Sequence, residues 1–376
     1  MKKTLLIIRW IVGLLFIFSG LIKVNDPLGL SYKMQEFFEV WGIPFFNKYS
    51  LGMAVIMNMF EVGCGVALII GFRIKLTIRL LLLLIIFFTF LTGYALLSGK
   101  IKTCGCLGDC LPLTPAMSFG KDLALLVLIL FLAIFQKEAL PLFSHFINNI
   151  VLMVSLAACV FIQDVVLNYL PFIDCLPFKV GNNLIEQMQK PKDYIPDSTV
   201  ITYRYKKGNK TLEFDQNHFP DDFDSSYVYV SRFDKLIRKG TGGAKITDFT
   251  LTTTSGNDTT KALFALPKYV LVMDNYYHTN FNEWFDNLQK VKNFCTSNNI
   301  PLFYVTSQSY DEANMLAADH IIILKCDATV IKTAARVNST YFLMNHATIL
   351  HKYSYKNINK IMDGVKLLAD KQENIN

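Results

Sequence analysis

The sequence predicts a multi-span α-helical membrane bundle followed by a C-terminal α/β domain. Hydrophobic residues make up 52% of the 376 positions, more than is usual for a soluble domain of this size. They are concentrated in the first 170 positions, and strand-like and helix-like patterns alternate after residue 246. These observations predict a transmembrane domain of four to five helices over 1–170, a linker with a β-rich insert over 171–245, and the α/β domain over 246–376.

Five apolar runs in the first part are long enough to cross a lipid bilayer, which takes about 20 helical residues. They are approximately Thr4–Ile22, Leu51–Phe72, Leu76–Leu97, Ser118–Phe135 and Leu142–Leu167. Lys121 and Asp122 lie near the start of the fourth run, where their side chains are expected to reach the interface. Because the number of runs is odd, the loop after the third run and the domain after the fifth are expected on the same side of the membrane.

Charge bears on partners and on orientation. The net charge is +7, and no stripe of basic residues with interleaved aromatic residues is present, which argues against nucleic-acid binding. The basic residues divide almost evenly between the two sides, so the positive-inside rule does not set the orientation. Closely spaced cysteines are of most use where disulfides persist. We therefore expect a multi-pass inner-membrane protein with a periplasmic C-terminal domain.

The loop after the third run has the sequence TCGCLGDC and contains Cys104, Cys106 and Cys110. A Cys-x-Cys pair can close a small, labile disulfide ring. Cys110 lies within reach as a resolving thiol, and Cys175, just after the fifth run, is a second candidate partner. We therefore expect at least one disulfide among the three loop cysteines, with Cys106 as the most favoured participant.

Two alternatives remain open for the loop. Zinc takes four thiolate, imidazole or carboxylate ligands, and the three loop thiols with Cys175 or Asp109 would supply such a set. The cysteines can also remain plain reduced thiols. Cys64 and Cys159 lie inside apolar runs and are expected to be inert packing residues.

Glu61 is an ionisable residue inside the second apolar run. Such a residue usually faces the interior of a helical bundle and has a charged partner there. Arg9 and Arg79 are the candidate partners in the sequence. Glu61 is accordingly interpreted either as one half of a structural ion pair or as a proton relay.

Three segments of the membrane part carry a family resemblance. RWIVGLLFIFSGLIKVNDPLG at 9–29 and MFEVGCGVALIIG at 59–71 resemble the opening helices of DoxX-like membrane proteins, with Glu61 at the matching place. KTCGCLGDCLPLTP at 102–115 resembles the cysteine loop of the methylamine-utilisation MauE branch, with Leu107 where that branch usually has Phe. The resemblance implies a redox-associated four-helix membrane domain, linked to disulfide maturation of an exported protein.

The remaining chain contains a series of strand and helix patterns. A hairpin is predicted over 199–214, with a further strand at 226–233. The predicted elements that follow are strand 268–276, helix 281–295, strand 301–308, helix 311–318, strand 320–325, a hairpin of 340–345 with 347–354, and helix 357–369. A β-α-β unit followed by a β-β-α unit is the thioredoxin layout.

ITDFTLTTTSGNDTTKALF at 246–264 and RVNSTYFLMNHATILHKYS at 336–354 resemble the TlpA-like thioredoxin domains. That resemblance implies a Cys-x-x-Cys near Asn275–Thr279, but this segment contains no cysteine. It also implies a cis-proline where this chain has Ser339. Cys295 and Cys326 lie elsewhere and are expected to be buried thiols. The domain is therefore predicted to lack thiol-exchange activity of its own.

The leading hypothesis is an accessory or docking factor in thiol and disulfide maturation of an exported client or membrane partner. An alternative is a thiol oxidase in which Cys104 and Cys106 pass electrons to a membrane quinone while Glu61 manages protons. A second alternative is a structural subunit of a membrane complex with incidental thiols. No cofactor is certain, and quinone belongs only to the oxidase hypothesis.

Overall fold

The structure is a computed structural model. It describes residues 2–101, 105, 107–136, 141–196, 198–208, 210–215, 217–238, 240, 242–274, 281–307 and 321–370. The chain forms two compact units, one of Met1–Gly181 with Thr250–Asn376 and the other of Asn182–Phe249. The helical bundle and the C-terminal sheet both belong to the first unit.

The helices of the bundle that the structure describes in full come first in this unit. They are α1 (Lys2–Asn25), α2 (Pro27–Val40), the 3-10 helix Pro44–Tyr49, α3 (Ser50–Ile70), α4 (Ile74–Ser98), α5 (Pro115–Ile134) and α6 (His145–Tyr169). Five segments are long and apolar enough to span a membrane, namely Lys3–Asn25, Pro44–Ile70, Ile74–Ser98, Pro115–Ile134 and His145–Tyr169. The five predicted runs are thereby confirmed, with ends that differ by a few residues.

Local sequence signals set the ends of these helices. The side chain of Thr114 accepts a hydrogen bond from the first turn of α5, and Pro115 occupies its first position, where the missing N–H of proline costs nothing. Gly71 and Gly99 end α3 and α4 in left-handed conformations with φ of 76° and 63°. Glycine adopts that conformation without a Cβ clash.

Helices α1 and α3 approach each other closely because glycines line their interface. A Cβ atom on Gly13 would lie 2.5 Å from the Ile69 side chain, and one on Gly65 would lie 2.8 Å from the Gly13 carbonyl oxygen. Small residues of this kind allow close contact between helix backbones in membranes. The apolar core beside this interface unites α1, α3, α4 and α5.

The C-terminal part of the first unit is an α/β region built on a mixed sheet. Its strands are β4 (Thr252–Thr253), β5 (Tyr269–Asp274), β6 (Leu302–Thr306), β7 (Ile322–Lys325), β8 (Thr340–Asn345) and β9 (Thr348–Ser354). The strand order is β4-β7-β6-β5-β8-β9. Strand β5 is parallel to β6 and antiparallel to β8, while β8 and β9 form the predicted hairpin.

Helices cover this sheet. They are α8 (Thr260–Ala265), α9 (Phe281–Ser297), α10 (Ala328–Ala334) and α11 (Ile358–Asp370). Buried residues of α9 and α11 form one core cluster with β5, β6 and β8. The helix predicted over 311–318 and the cysteine-free segment 275–280 lie outside the described residues.

The second unit contains a short helix, α7 (Leu184–Met188), and the strands β1 (Ser198–Lys207), β2 (Lys210–Asp215) and β3 (Tyr227–Arg238). They form an antiparallel sheet in the order β2-β1-β3. The hairpin of β1 and β2 is the one predicted from sequence.

Candidate functional site

The cysteine loop connects α4 to α5. Cys104 and Cys106 lie outside the described residues, whereas Gly105 and Leu107 are described. Gly105 has a φ of 65°, and a Cβ atom there would lie 2.9 Å from the Lys33 side chain on α2. Only glycine fits both the backbone conformation and this close approach. The loop therefore passes directly against α2.

Cys110 is joined to Cys175 by a disulfide. The two sulfur atoms lie 1.92 Å apart and the two Cα atoms 4.9 Å apart. The bond ties the cysteine loop to the segment that follows α6. Cys175 is the second candidate partner predicted from the sequence. The predicted role of Cys110 as a resolving thiol for Cys104 and Cys106 is wrong for this structure, because Cys110 is bonded to Cys175. The spacing of the cysteines along the chain does not show that residue 175 lies next to residue 110. A zinc site that uses Cys110 as a thiolate is incompatible with this bond. A disulfide between Cys104 and Cys106 stays a prediction.

A buried arginine fixes the same loop from the α/β region. The Arg336 side chain is 4% exposed. Its Nη2 donates to Asp109 Oδ2 at 2.7 Å, and its Nε donates to Asp26 Oδ2 at 2.9 Å. Asp26 also accepts a hydrogen bond from the Gly29 backbone at the start of α2. Arg336 thus holds together the cysteine loop and the turn between α1 and α2.

A second buried cation of the α/β region, Lys352, pairs with the aspartate that precedes Cys175. Lys352 of β9 lies 2.8 Å from Asp174, and its side chain is 3% exposed. Burial lowers the pKa of Lys352, and the neighbouring Asp174 opposes that shift. Ser354 Oγ donates to the Asn168 carbonyl at 2.6 Å. The α/β region is therefore fastened to the chain segments on both sides of the disulfide.

Sequence reasoning missed this pair of cation contacts, although a signal was present. An aspartate immediately precedes each cysteine of the disulfide, as Asp109-Cys110 and Asp174-Cys175. Each aspartate pairs with one buried cation of the α/β region. The repeated Asp-Cys dipeptide is the sequence signal that the two cysteines lie in similar charged surroundings. We refer to Asp109, Cys110, Asp174, Cys175, Arg336 and Lys352 as the loop clamp.

Glu61 forms a buried ion pair, but its partner is Lys23. The Lys23 Nζ atom lies 2.6 Å from Glu61 Oε2 and 2.9 Å from Oε1. Lys23 thus takes the place that the sequence assigned to Arg9 or Arg79. The first apolar run of the sequence ends at residue 22, whereas α1 continues to Asn25. Its last turn therefore points Lys23 into the bundle.

A second acidic residue is buried in the bundle. The Asp122 side chain is 0% exposed. It accepts a hydrogen bond from Thr92 Oγ1 at 3.0 Å and lies 2.5 Å from the Lys121 Nζ atom. The expectation that Asp122 reaches the interface is wrong, because the fourth span begins at Pro115 and places Asp122 two turns inside it.

In the α/β region, the position expected for a cis-proline carries a cis peptide bond between Asn338 and Ser339. The Ser339 hydroxyl donates to the buried Asp274 carboxylate at the end of β5. It also accepts a hydrogen bond from Trp284 Nε1 at 2.8 Å. The serine side chain is therefore engaged inside the protein.

Cys295 and Cys326 are expected to resist thiol reagents in the folded protein. Both are buried, and burial raises the pKa of each thiol to about 12. At pH 8 only roughly one molecule in ten thousand carries the reactive thiolate. N-ethylmaleimide at that pH should modify neither residue, and labelling should rise as the pH approaches 12 or on denaturation. Rapid labelling at pH 8 in the native protein would contradict this assignment.

Removal of the Cys110–Cys175 disulfide is expected to loosen the loop clamp. The bond closes a segment of 65 residues, for which chain entropy gives at most about 4 kcal/mol. Two spans within that segment are already restrained by the bilayer, so the measured loss of stability should be smaller. Thermal unfolding of Cys110→Ser, Cys175→Ser and the double variant should show equal losses. If the two single losses add, the two sulfurs act independently and the bond is not present.

The comparisons with known proteins support the family resemblance of the membrane part. The family model described as methylamine utilisation protein MauE matches residues 1–135. This match confirms the MauE resemblance predicted for the membrane half, and residues 1–135 are accordingly a MauE-type membrane domain. A second model, described as a domain of unknown function, matches residues 199–239, which hold β1 to β3. No curated protein and no solved structure matches the chain.

Proposed function

We propose that this protein is a membrane-embedded accessory factor of the cell envelope that takes part in thiol and disulfide maturation of a partner protein. The observation that carries the proposal is the disposition of its eight cysteines. Cys110 and Cys175 are bonded to each other. Four more are buried, namely Cys64, Cys159, Cys295 and Cys326. The remaining two cysteines, Cys104 and Cys106, are the ones proposed to exchange with a partner.

The loop clamp supports this role. Thiol exchange requires that an attacking thiolate approach a disulfide along a defined direction. The cysteine loop is restrained at two neighbouring residues. Cys110 is bonded to Cys175 in the segment after α6, and Asp109 pairs with Arg336 of the α/β region. A reactive pair presented from such a loop has less conformational entropy to lose on meeting a client.

We propose that the α/β region is a thioredoxin-like domain without redox activity that docks the client. The order of β5 to β9 and the hairpin next to Ser339 favour that fold. No cysteine occurs in segment 275–280, where a Cys-x-x-Cys would be expected. The contact between Arg336 and Asp109 of the cysteine loop supports a role for this domain in docking a client that exchanges with Cys104 and Cys106.

We further propose an inner-membrane location with the loop and the α/β region in the periplasm. Five membrane-spanning helices support a multi-pass protein. The Cys110–Cys175 bond supports the oxidising side, because disulfides persist there and are reduced in the cytosol.

The test is to trap the client on the loop. In Cys106→Ala, a mixed disulfide formed by Cys104 has no neighbour to resolve it and should accumulate in non-reducing gels of native membranes. The Cys104→Ala, Cys106→Ala double variant is the matched control and should trap nothing. If Cys106→Ala traps no partner, and the double variant leaves maturation of exported disulfide proteins intact, the protein is a structural subunit with incidental thiols.

A further inference from the structure

A cavity of about 410 Å³ lies between the helical bundle and the α/β region, within the first unit. From the bundle, α2, the 3-10 helix and the ends of α3 and α6 contribute to its wall. From the α/β region, α10 and the chain that follows it as far as Asn338 contribute. Pockets that hold small molecules measure about 300–1,000 Å³, so this cavity is large enough for a ligand.

The wall of this cavity is positively charged. Its described residues include Lys48, Lys332 and Arg336 but no acidic residue. Within the part of the chain that the structure describes, neither lysine side chain has a hydrogen-bond or ion-pair partner. Lys48 Nζ lies 4.8 Å from the centre of the Tyr49 ring, and Lys332 Nζ lies 5.5 Å from that of the Tyr32 ring. An aromatic face stabilises a cation without neutralising it, so both charges remain available to an anion.

Neighbouring acidic residues do not cancel these two charges. Asp26 and Asp109 both pair with Arg336, and neither of them lines the cavity. Asp327 interacts electrostatically with Lys332 but forms no ion pair with it. The attraction of the cavity for an anion therefore rests on the two lysines.

The cavity lies at the level where the membrane spans end. Leu51 and Leu167 line it, near the start of the second span and the end of the fifth. Tyr49 and Tyr169 belong to the same ends of those spans, and they are 53% and 45% exposed. Tyrosine is enriched at the membrane–water interface. The lysines are therefore expected at the depth of the lipid head groups.

Charge and depth together define the occupant. Lysines close to the membrane surface attract anionic lipid head groups. Leu28, Leu51 and Leu167 add apolar surface to the same wall. An acyl chain would cover this surface, whereas a phosphate compound without chains would leave it in water.

We propose that this cavity binds the head group of an anionic phospholipid from the leaflet beside the α/β region. Lys48 and Lys332 contact its phosphate, and its acyl chains remain in the bilayer. Because Lys48 belongs to the bundle and Lys332 to α10, the bound lipid links the bundle to the α/β region. The inference goes beyond the proposed function and does not depend on exchange by Cys104 and Cys106.

The test is a lipid titration of the full chain in detergent, followed by native mass spectrometry. One dioctanoyl phosphatidylglycerol should bind at least about tenfold more tightly than dioctanoyl phosphatidylcholine, in which the choline cancels the phosphate charge. Glycerol 3-phosphate carries a phosphate without acyl chains and should not displace the lipid at equal concentration. Displacement by it would overturn the lipid assignment in favour of a soluble phosphate compound. Equal binding of the two lipids would also overturn it and leave the cavity to another anion, such as an acidic segment of a client.

Variants then assign the binding to the cavity. Lys48→Gln and Lys332→Gln should each weaken phosphatidylglycerol binding by about fivefold, with phosphatidylcholine binding unchanged. The matched control is Lys100→Gln, since Lys100 is exposed just after α4, on the same side of the membrane, and outside the described wall. It should bind like the wild type, and equal weakening in all three variants would mean that surface charge alone attracts the lipid.

The variants are expected to fold. Arg336 donates to the backbone carbonyl of Lys332, a contact that glutamine at position 332 retains. Unfolding temperatures measured without added lipid should therefore match the wild type. If Lys332→Gln does not fold, the comparison of Lys48→Gln with Lys100→Gln decides: weaker binding in Lys48→Gln alone supports the site, and equal binding overturns it.

Discussion

Replacement of Arg336 by alanine is expected to destabilise the first unit by about 3–5 kcal/mol, because it removes one partner from a buried ionic cluster. The Arg336 side chain is 4% exposed and pairs with both Asp26 and Asp109. Without it, Asp26 and Asp109 lose the cation that pairs with both of them. The loss should appear as a lower unfolding temperature in detergent and as faster proteolysis of the α/β region.

Two comparison variants make this result specific. Arg336→Lys keeps the charge but not the fork of N–H donors that contacts two carboxylates, so its loss should be intermediate. Arg204→Ala breaks an ion pair with Glu213 in which both side chains are about half exposed, and exposed pairs contribute at most about 1 kcal/mol. Equal effects of Arg336→Ala and Arg204→Ala would show that the clamp does not hold the loop.

Replacement of Lys23 by alanine is expected to destabilise the helical bundle by a similar amount, about 3–5 kcal/mol. The Lys23 and Glu61 side chains are 2% and 3% exposed and lie 2.6 Å apart. The single variant leaves the Glu61 carboxylate inside the bundle without its cation. Unfolding of the purified protein in detergent should show this loss directly.

The double variant Lys23→Met, Glu61→Leu separates the cost of an unpaired charge from the worth of the pair. Replacing a buried ion pair by apolar residues of similar volume is often neutral or stabilising. The double variant should therefore recover most of the stability that Lys23→Ala loses. As a matched control, Lys33→Ala removes a partly exposed pair with Glu36 and should have little effect. A double variant as unstable as the single one would mean that the pair also supports packing.

The sequence predicted the membrane spans well because their signal is strong and local. A run of about 20 apolar residues identifies a spanning helix without knowledge of its neighbours. The hairpin of β8 and β9 was equally predictable from the sequence, since alternating β-forming residues flank the turn His346-Ala347. These elements depend on residues that are adjacent in the chain.

The contacts that organise the site are not local, and the sequence did not give their partners. Arg336 and Asp109 are separated by 227 positions, and no periodic pattern relates them. The partner of Glu61 was missed for a smaller reason, because Lys23 lies just beyond the apolar run yet still within α1. Asp122 was assigned to the interface on its charge alone. In each case the burial of a charged side chain depends on helices that are distant in sequence.

The most direct test of the proposed function is the oxidation state of Cys104, Cys106, Cys110 and Cys175 in native membranes. Differential alkylation followed by mass spectrometry reports each of them separately. The Cys110–Cys175 bond should remain constant, while Cys104 and Cys106 should pass between a disulfide and free thiols as a reductant is added and removed. Permanently free thiols at Cys104 and Cys106, or a Cys110 that exchanges along with them, would contradict the proposed function.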